Sequence, residues 1–583
     1  MPEKRNYTIS DIYQGGYSTF NPKYGDVFTG YRLGSGSLGL TTDPRTANVL
    51  QDASVKLNTG AKQIEISAVS PEVFESIPNQ QLKEINRLAK LTGVEVSVHG
   101  PILEPSGMTR EGFSNANREA VERQMFSAVE RSYNINPKGN APVTFHSSVM
   151  LPGGIPSKGR EIEETLVINT DSGSIAKIPL KESRFPGEGK KRDVNQELNR
   201  INEEQWNNQL RQLEYYAGMG GQAINRSAAT AMIAEAEKAL DRPRTEEERA
   251  MVAEFNRGTT FLNSSYGDLK QLFDTTYNKA SENSKETIDE FYKSIQSKAN
   301  KIKSNPGNPE SAVLMKEIIE DGIETLKKFP PPQLYEDLNK FSKEKTVETF
   351  SNLAFNSYKK FGSSSPIISI ENPPAGGAFS TGQELRNVVE MAREKFVEKA
   401  KKEGMDESEA RGAAAKLIGV TWDVGHINML RKYGYSKEDI VKESEQIAKL
   451  VKHVHLSDNF GFEHTELPMG MGNVPIKEIL NKLGKEGFDA KKIIEAGNWW
   501  QHFRTPPFKE SLEAFGSSIY SMQMAPYWNQ NVGLQQDYYP GFGQFLPQVN
   551  YETFGSGFSR LPMELGGQRQ GAEGSRMSGR GME

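Results

Sequence analysis

The sequence predicts an α/β fold, a (β/α)8 TIM barrel with a large helical insertion between strands 4 and 5 and a low-complexity C-terminal tail. Two observations carry this. Short β-branched runs alternate with segments of helical period, and eight such runs can be counted. Nearly every run also closes on an imidazole or a carboxylate: Val-Glu-Val-Ser-Val-His99, Val-Thr-Phe-His146, Ile-Ile-Ser-Ile-Glu371, Gly-Val-Thr-Trp-Asp423, His453-Val-His455 and Ile-Ile-Glu495. Parallel barrels assemble their active sites from the C-terminal ends of successive strands, and these residue types stand where such a site would form.

In chain order, residues 1–29 are Tyr/Gly-rich and aperiodic, an N-terminal arm. The first barrel half spans 30–155. It contains a first strand within Gly30–Leu40, a second at Gln63–Ser67, a helix at Pro78–Thr92 and a third strand at Val94–His99. A helix follows over Asn115–Tyr133, with Val121, Met125, Val129 and Tyr133 at helical spacing, then a fourth strand at Pro142–His146. The alternation stops over 156–361. There Thr165–Leu180 reads as a hairpin turning at Asp171-Ser-Gly, and a charged, Gln/Asn-rich, helical stretch with Pro/Gly breaks follows.

The alternation resumes over 362–518. Strands at Pro366–Glu371, Ile418–Asp423, His453–Leu456 and Lys491–Glu495 are interleaved with helices near Gly382–Glu403, Lys437–Val451, Pro475–Glu486 and Lys509–Phe515. Residues 519–583 are Gln/Asn/Gly/Tyr-rich and then Arg/Gly/Ser-rich. Few apolar anchors predict disorder or an extended arm, with aromatics able to dock on a protein partner.

Composition narrows the chemistry. The 583-residue chain has no cysteine, which excludes disulfides, thiolate metal sites and a Cys nucleophile. A net charge of −5 gives no electrostatic footprint for non-specific nucleic-acid binding. The N-terminus lacks the apolar core of a signal peptide and no 18-residue apolar run occurs, so a cytoplasmic protein with no membrane partner is expected. Any metal must be held by N and O donors, and five of the seven histidines stand in the run-closing pattern or just beyond it.

The candidate ligands are His99, His146, Glu371, Asp423, His426, His455, His464, Glu466 and Glu495. His453 lies two residues before His455 and shares its strand face, so a barrel-interior or supporting role is expected. Asp458 either orients a ligand imidazole or caps a turn. His502 reads as an exposed side chain, and Lys298–Lys303 as a solvated helix face.

Taken together, His-Gly-Pro, Phe-His, Ile-Glu-Asn, Trp-Asp-Val-Gly-His, His-Leu-Ser-Asp, Leu-Pro-Met-Gly-Met-Gly and Ile-Glu-Ala-Gly-Asn resemble the xylose-isomerase-like TIM-barrel superfamily. The nearest resemblance is to its endonuclease IV (family 2 AP endonuclease) branch, over about residues 30–155 and 362–516. The resemblance implies a cluster of up to three divalent ions, Zn²⁺ favoured and Mn²⁺ compatible. His99, His146 and Glu371 would hold one ion. Glu371, Asp423, His455 and Glu495 would hold the second, and His426 the third with His464 and Glu466. His464-Thr-Glu466 stands where the endonucleases have Asp-x-His. Glu371 and Glu495 would position ions and water for phosphodiester hydrolysis, with abasic-site DNA as substrate.

Two other readings stay open. Glu371, Asp423, His455 and Glu495 also satisfy the one-metal pattern of sugar isomerases and epimerases acting on sugars or sugar phosphates, with Glu371 and Glu495 as acid and base. The third reading is a non-catalytic binding or assembly protein on an inherited barrel.

Overall fold

A computed structural model describes residues 37–515 with interruptions, of which 181–192, 238–243 and 500–506 are the longest. The N-terminal arm, the tail and His502 lie outside the described residues.

Eight parallel strands close into a barrel: β1 (Leu38–Thr41), β2 (Gln63–Ser67), β3 (Glu95–His99), β4 (Pro142–His146), β5 (Ile367–Glu371), β6 (Ile418–Asp423), β7 (Val451–Leu456) and β8 (Lys491–Ile494). Each pairs with its sequence neighbours, and β8 returns to β1 through Leu38↔Lys492 and Leu40↔Ile494. One face of each strand packs outward on the helices. Ile66, Val98, Phe145, Ile370, Trp422 and Val454 are almost wholly buried there, each side chain contributing about 1.5–3 kcal/mol. The indole Nε1 of Trp422 donates to Ser444 Oγ at 3.0 Å, so its one polar atom is satisfied.

The other face lines the barrel interior, and its lower layer is polar. Thr144 and Thr421 share a hydroxyl contact of 2.9 Å, and Thr421 donates to Ser369 at 2.7 Å. Two residues further along each strand, the same face carries His146, Asp423 and Glu371. The register sets these tips level, through Glu371↔His146, Asp423↔His455 and Ser67↔His99.

The chain divides into two compact units, the barrel with Asn339 onward, and Glu163–Leu338. Among its described residues the second unit contains four helices, Val194–Ala236, Glu246–Lys279, Glu282–Ser304 and Pro309–Leu326, around a core of Trp206, Leu213, Ile224, Leu262, Phe273 and Ile318. The expected hairpin forms as Glu164–Asn169 and Ile175–Pro179, joined by a third strand, Tyr335–Asp337. Within this unit Lys298 pairs with Glu317 at 2.8 Å.

The helix Leu338–Phe361, expected within the insertion, belongs almost entirely to the barrel unit. Its Thr349 hydroxyl donates to Pro105 O at 2.8 Å, and Arg118 reaches its Glu348 at 3.3 Å. A further helix, Glu407–Leu417, capped by Asp406, precedes β6. No helix among the described residues is long and apolar enough to cross a membrane.

Candidate metal centre

The strand tips converge. Glu371, at the end of β5, is wholly buried, and its two oxygens face different neighbours. Oε2 lies 3.3 Å from His99 Nε2 and 3.4 Å from His146 Nε2, while Oε1 lies 2.8 Å from His455 Nδ1. His455 Nδ1 is also 2.9 Å from Glu495 Oε2. Donor atoms of Glu371, Asp423, His455 and Glu495 form one compact group, and those of His99, His146 and Glu371 another.

His426 follows Asp423 by one helical turn, Val424–Asn428, whose first amides are capped when Asp423 Oδ1 accepts from His426 N at 2.7 Å. Gly425 is required in that turn because a Cβ there would collide with Ser457 Oγ. The turn brings His426 Nε2 to 2.8 Å from His464 Nε2, and His464 Nε2 lies 3.6 Å from Glu466 Oε1.

His464 and Glu466 arrive on the loop after β7, and Asp458 organises that loop. Its buried carboxylate accepts from the amides of Asn459, Gly470 and Val474 at 2.9–3.0 Å. These bonds go to backbone and not to a ligand imidazole. Burial still pushes its carboxyl up to about 6, against those amide bonds. Glu466 adopts φ of +48°, a left-handed conformation a Glu pays for in strain. It is held there in part by the Gly497 amide, which donates to its Oε2 at 3.0 Å.

Hydrogen bonds also fix which imidazole nitrogens are available. His99 Nδ1 lies 2.8 Å from Gly100 O, and His426 Nδ1 lies 2.7 Å from Asn372 O. A carbonyl only accepts, so in the neutral ring Nδ1 carries the proton and Nε2 presents its lone pair to the cluster. That is the arrangement of a metal-ligating histidine.

The electrostatics describe a site built for cations. Burial, with Glu495 and Glu371 beside it, raises the Asp423 carboxyl well above the usual range. Burial works the same way on Glu371, but His455 and His146 outweigh it and hold Glu371 well below that range. Glu495 is brought to about 2 by His455 against burial. His99 rises to about 9, because Glu371 overcomes burial, whereas burial and His464 drive His426 down to about 3. The buried Glu371 Oε2 and Asp423 Oδ2 accept no hydrogen bond. Closely packed carboxylates, orphaned oxygens and pre-set imidazole lone pairs fit a set of divalent cations with N/O ligands.

Beside the cluster opens a cavity of about 430 Å³, lined by His99, His146, His426, His464, Glu466 and Glu495 and walled by Ile102, Val149, Pro373 and Pro374.

Two residues received no ligand role from the sequence. His453 Nε2 lies 2.8 Å from Glu65 Oε2. Glu65, on β2, is buried below the tips, and Glu65 Oε1 is 3.1 Å from His455 Nε2. The only sequence signal for Glu65 is a carboxylate between two isoleucines in Gln-Ile-Glu-Ile-Ser.

A family sequence model described as xylose isomerase-like TIM barrel matches residues 385–517. Over 84 residues the chain is 33% identical to an uncharacterized protein of Methanocaldococcus jannaschii, a match covering 14% of this chain and 27% of that protein. Among solved structures, a D-tagatose 3-epimerase-like protein aligns with a TM-score of 0.34 and 14% identity, over 84% of this chain and 100% of that one. D-Psicose 3-epimerase from Clostridium cellulolyticum H10 aligns with a TM-score of 0.36 and 9% identity, over 84% and 99%. The closed parallel barrel agrees with that family match, which spans the part of the barrel from the helix Gly382–Lys402 to its last strand and the helix after it.

Proposed function

We propose that this chain is a metal-dependent phosphodiester hydrolase that uses more than one divalent ion, with zinc favoured and abasic-site DNA as the first substrate to assay. The observation that carries this is the division of Glu371: one oxygen faces His99 and His146, the other faces His455. A carboxylate shared in this way between two ligand sets is suited to bridging two ions. Paired ions, when bound, supply Lewis acidity, an activated water and neutralisation of phosphate charge. His426, His464 and Glu466 form a further group at the cavity wall, suited to a third ion.

The chain's own residues would divide the work as follows. Glu371 and Asp423 hold the centre's negative charge, with His99, His146 and His455 arranged around Glu371. Glu495, which lines the cavity, orients water at the reacting phosphorus. The apolar wall of Ile102, Val149, Pro373 and Pro374 limits competing water.

The one-metal isomerase reading has its own support, since Glu371, Asp423, His455 and Glu495 make a complete ligand group by themselves. One experiment separates the two. Purified protein with Zn²⁺ or Mn²⁺ is assayed on abasic duplex DNA and on free and phosphorylated ketoses, alongside His99→Ala and His146→Ala. Strand cleavage lost in both variants supports the hydrolase. Sugar interconversion that survives in both variants and dies in Glu495→Ala contradicts it. No activity on either substrate and no metal uptake would leave the binding-protein reading.

A further inference from the structure

Three imidazoles in the cluster turn one nitrogen toward the metal-centre residues and the other toward a fixed oxygen of the protein. For His99 and His426 the holding group is a backbone carbonyl. For His455 it is a side chain from the opposite side of the barrel. We propose that Glu65 is the positioning residue of His455, its carboxylate facing Nε2 across the barrel interior so that Nδ1 faces Glu371 and Glu495 as a metal ligand.

The geometry is specific. His455 Nε2 lies 3.1 Å from Glu65 Oε1, while His455 Nδ1 lies 2.8 and 2.9 Å from Glu371 and Glu495. The ring therefore spans two layers of the barrel interior, with Glu65 below and the ligand carboxylates above. Glu65 is itself fixed from its other oxygen. Ser97 Oγ donates to Oε2 at 3.0 Å, and His453 Nε2 lies 2.8 Å from the same atom. Ser97 sits opposite Glu65 in the β2–β3 register, and His453 is on the strand that carries His455.

All three side chains are 0–1% exposed, so water does not screen these contacts. A buried carboxylate is costly unless every lone pair has a purpose. A carboxylate behind a ligand imidazole sets its tautomer, strengthens its basicity and raises metal affinity, typically 10–100-fold. Glu65 would act on the metal without touching it, through the oxygen that faces His455, while Ser97 and His453 contact its other oxygen.

The inference rests on the metal-holding part of the proposed function and not on which reaction follows. The test is Co²⁺ titration of the metal-free full-length chain under chelator competition, read by d–d absorption, with apo thermal midpoints alongside. Glu65→Leu is expected to weaken one Co²⁺ site about 10–100-fold and to change its d–d bands. Glu65→Gln, which keeps an oxygen facing Nε2, is expected to restore most of the affinity. Ser97→Ala, which disturbs the same layer but leaves Oε1 on His455, is expected to bind like wild type.

Wild-type affinity and spectrum in Glu65→Leu would overturn the inference. So would equal losses in all three variants that track their thermal midpoints, the mark of a purely structural role. Failure of wild type itself to take up Co²⁺ would overturn the metal reading and this inference with it.

Discussion

Glu371 and His426 show how single side chains carry the site. Glu371 presents one oxygen to each of two imidazole groups, so Glu371→Gln removes the shared charge and one shared donor. Divalent-ion affinity is expected to fall more than about 100-fold, since even indirect partners of a ligand are worth 10–100-fold. Chelator competition measures this, and a variant that retains wild-type affinity would contradict the bridging role. His426 tests the electrostatics of the metal-free protein. Its folded value is depressed to about 3 by burial, His464 and His146, against Glu371 and Glu495. The unfolded ring takes a proton below pH 6.5 while the folded ring does not, so this stability is present above pH 6.5 and is lost as pH falls toward 3. Between pH 7.5 and 5, with chelator present, His426→Gln should lose about 2 kcal/mol less than wild type. Equal losses in urea unfolding would contradict this. Most of the side chains that converge here were legible as strand-end positions because they close β-branched runs, whereas His464 and Glu466 stand out only beside the Leu-Pro-Met-Gly-Met-Gly turn that follows them. Glu65 was not, because a period of two does not distinguish a barrel's interior face from solvent. Asp458 was legible as a position but not as a partner, since its acceptor bonds go to amides up to sixteen residues away.

At the scale of elements, barrel closure depends on close backbone approach. A Cβ at Gly39 would lie 2.7 Å from Gln63 O and 2.5 Å from Ile493 Cδ1, touching both neighbours of β1. Backbone cannot step aside as a flexible side chain can, so Gly39→Ala should cost about 1–3 kcal/mol. Its measure is a lowered thermal midpoint of the barrel unit, and an unchanged midpoint would contradict the packing described. The strands read true from sequence because their short β-branched runs alternate with polar residues and are spaced by helical segments. The helix Leu338–Phe361 was assigned to the insertion because its charged composition matches the segment before it. Contacts with Arg118 and Pro105, more than 200 residues away, place it with the barrel. The strand Tyr335–Asp337 was missed for a similar reason. It is three residues long and pairs with Val167–Asn169, a contact that local pattern does not encode.

At the scale of the whole molecule, the second unit is entered and left through adjacent antiparallel strands, with Val167 opposite Asp337. Its ends therefore lie close together. Replacing residues 163–338 with a short Gly/Ser linker should leave a folded barrel that still takes up metal. Loss of metal binding with the loss of that unit would show that the barrel's ligands are not self-sufficient. The central proposal is that this barrel holds more than one ion, because its candidate ligands exceed what a single ion uses. Elemental analysis of full-length protein purified without chelator tests that most directly. Two to three divalent ions per chain, zinc dominant, is the predicted result; a single ion that exchanges freely for Mn²⁺, or none, would contradict it.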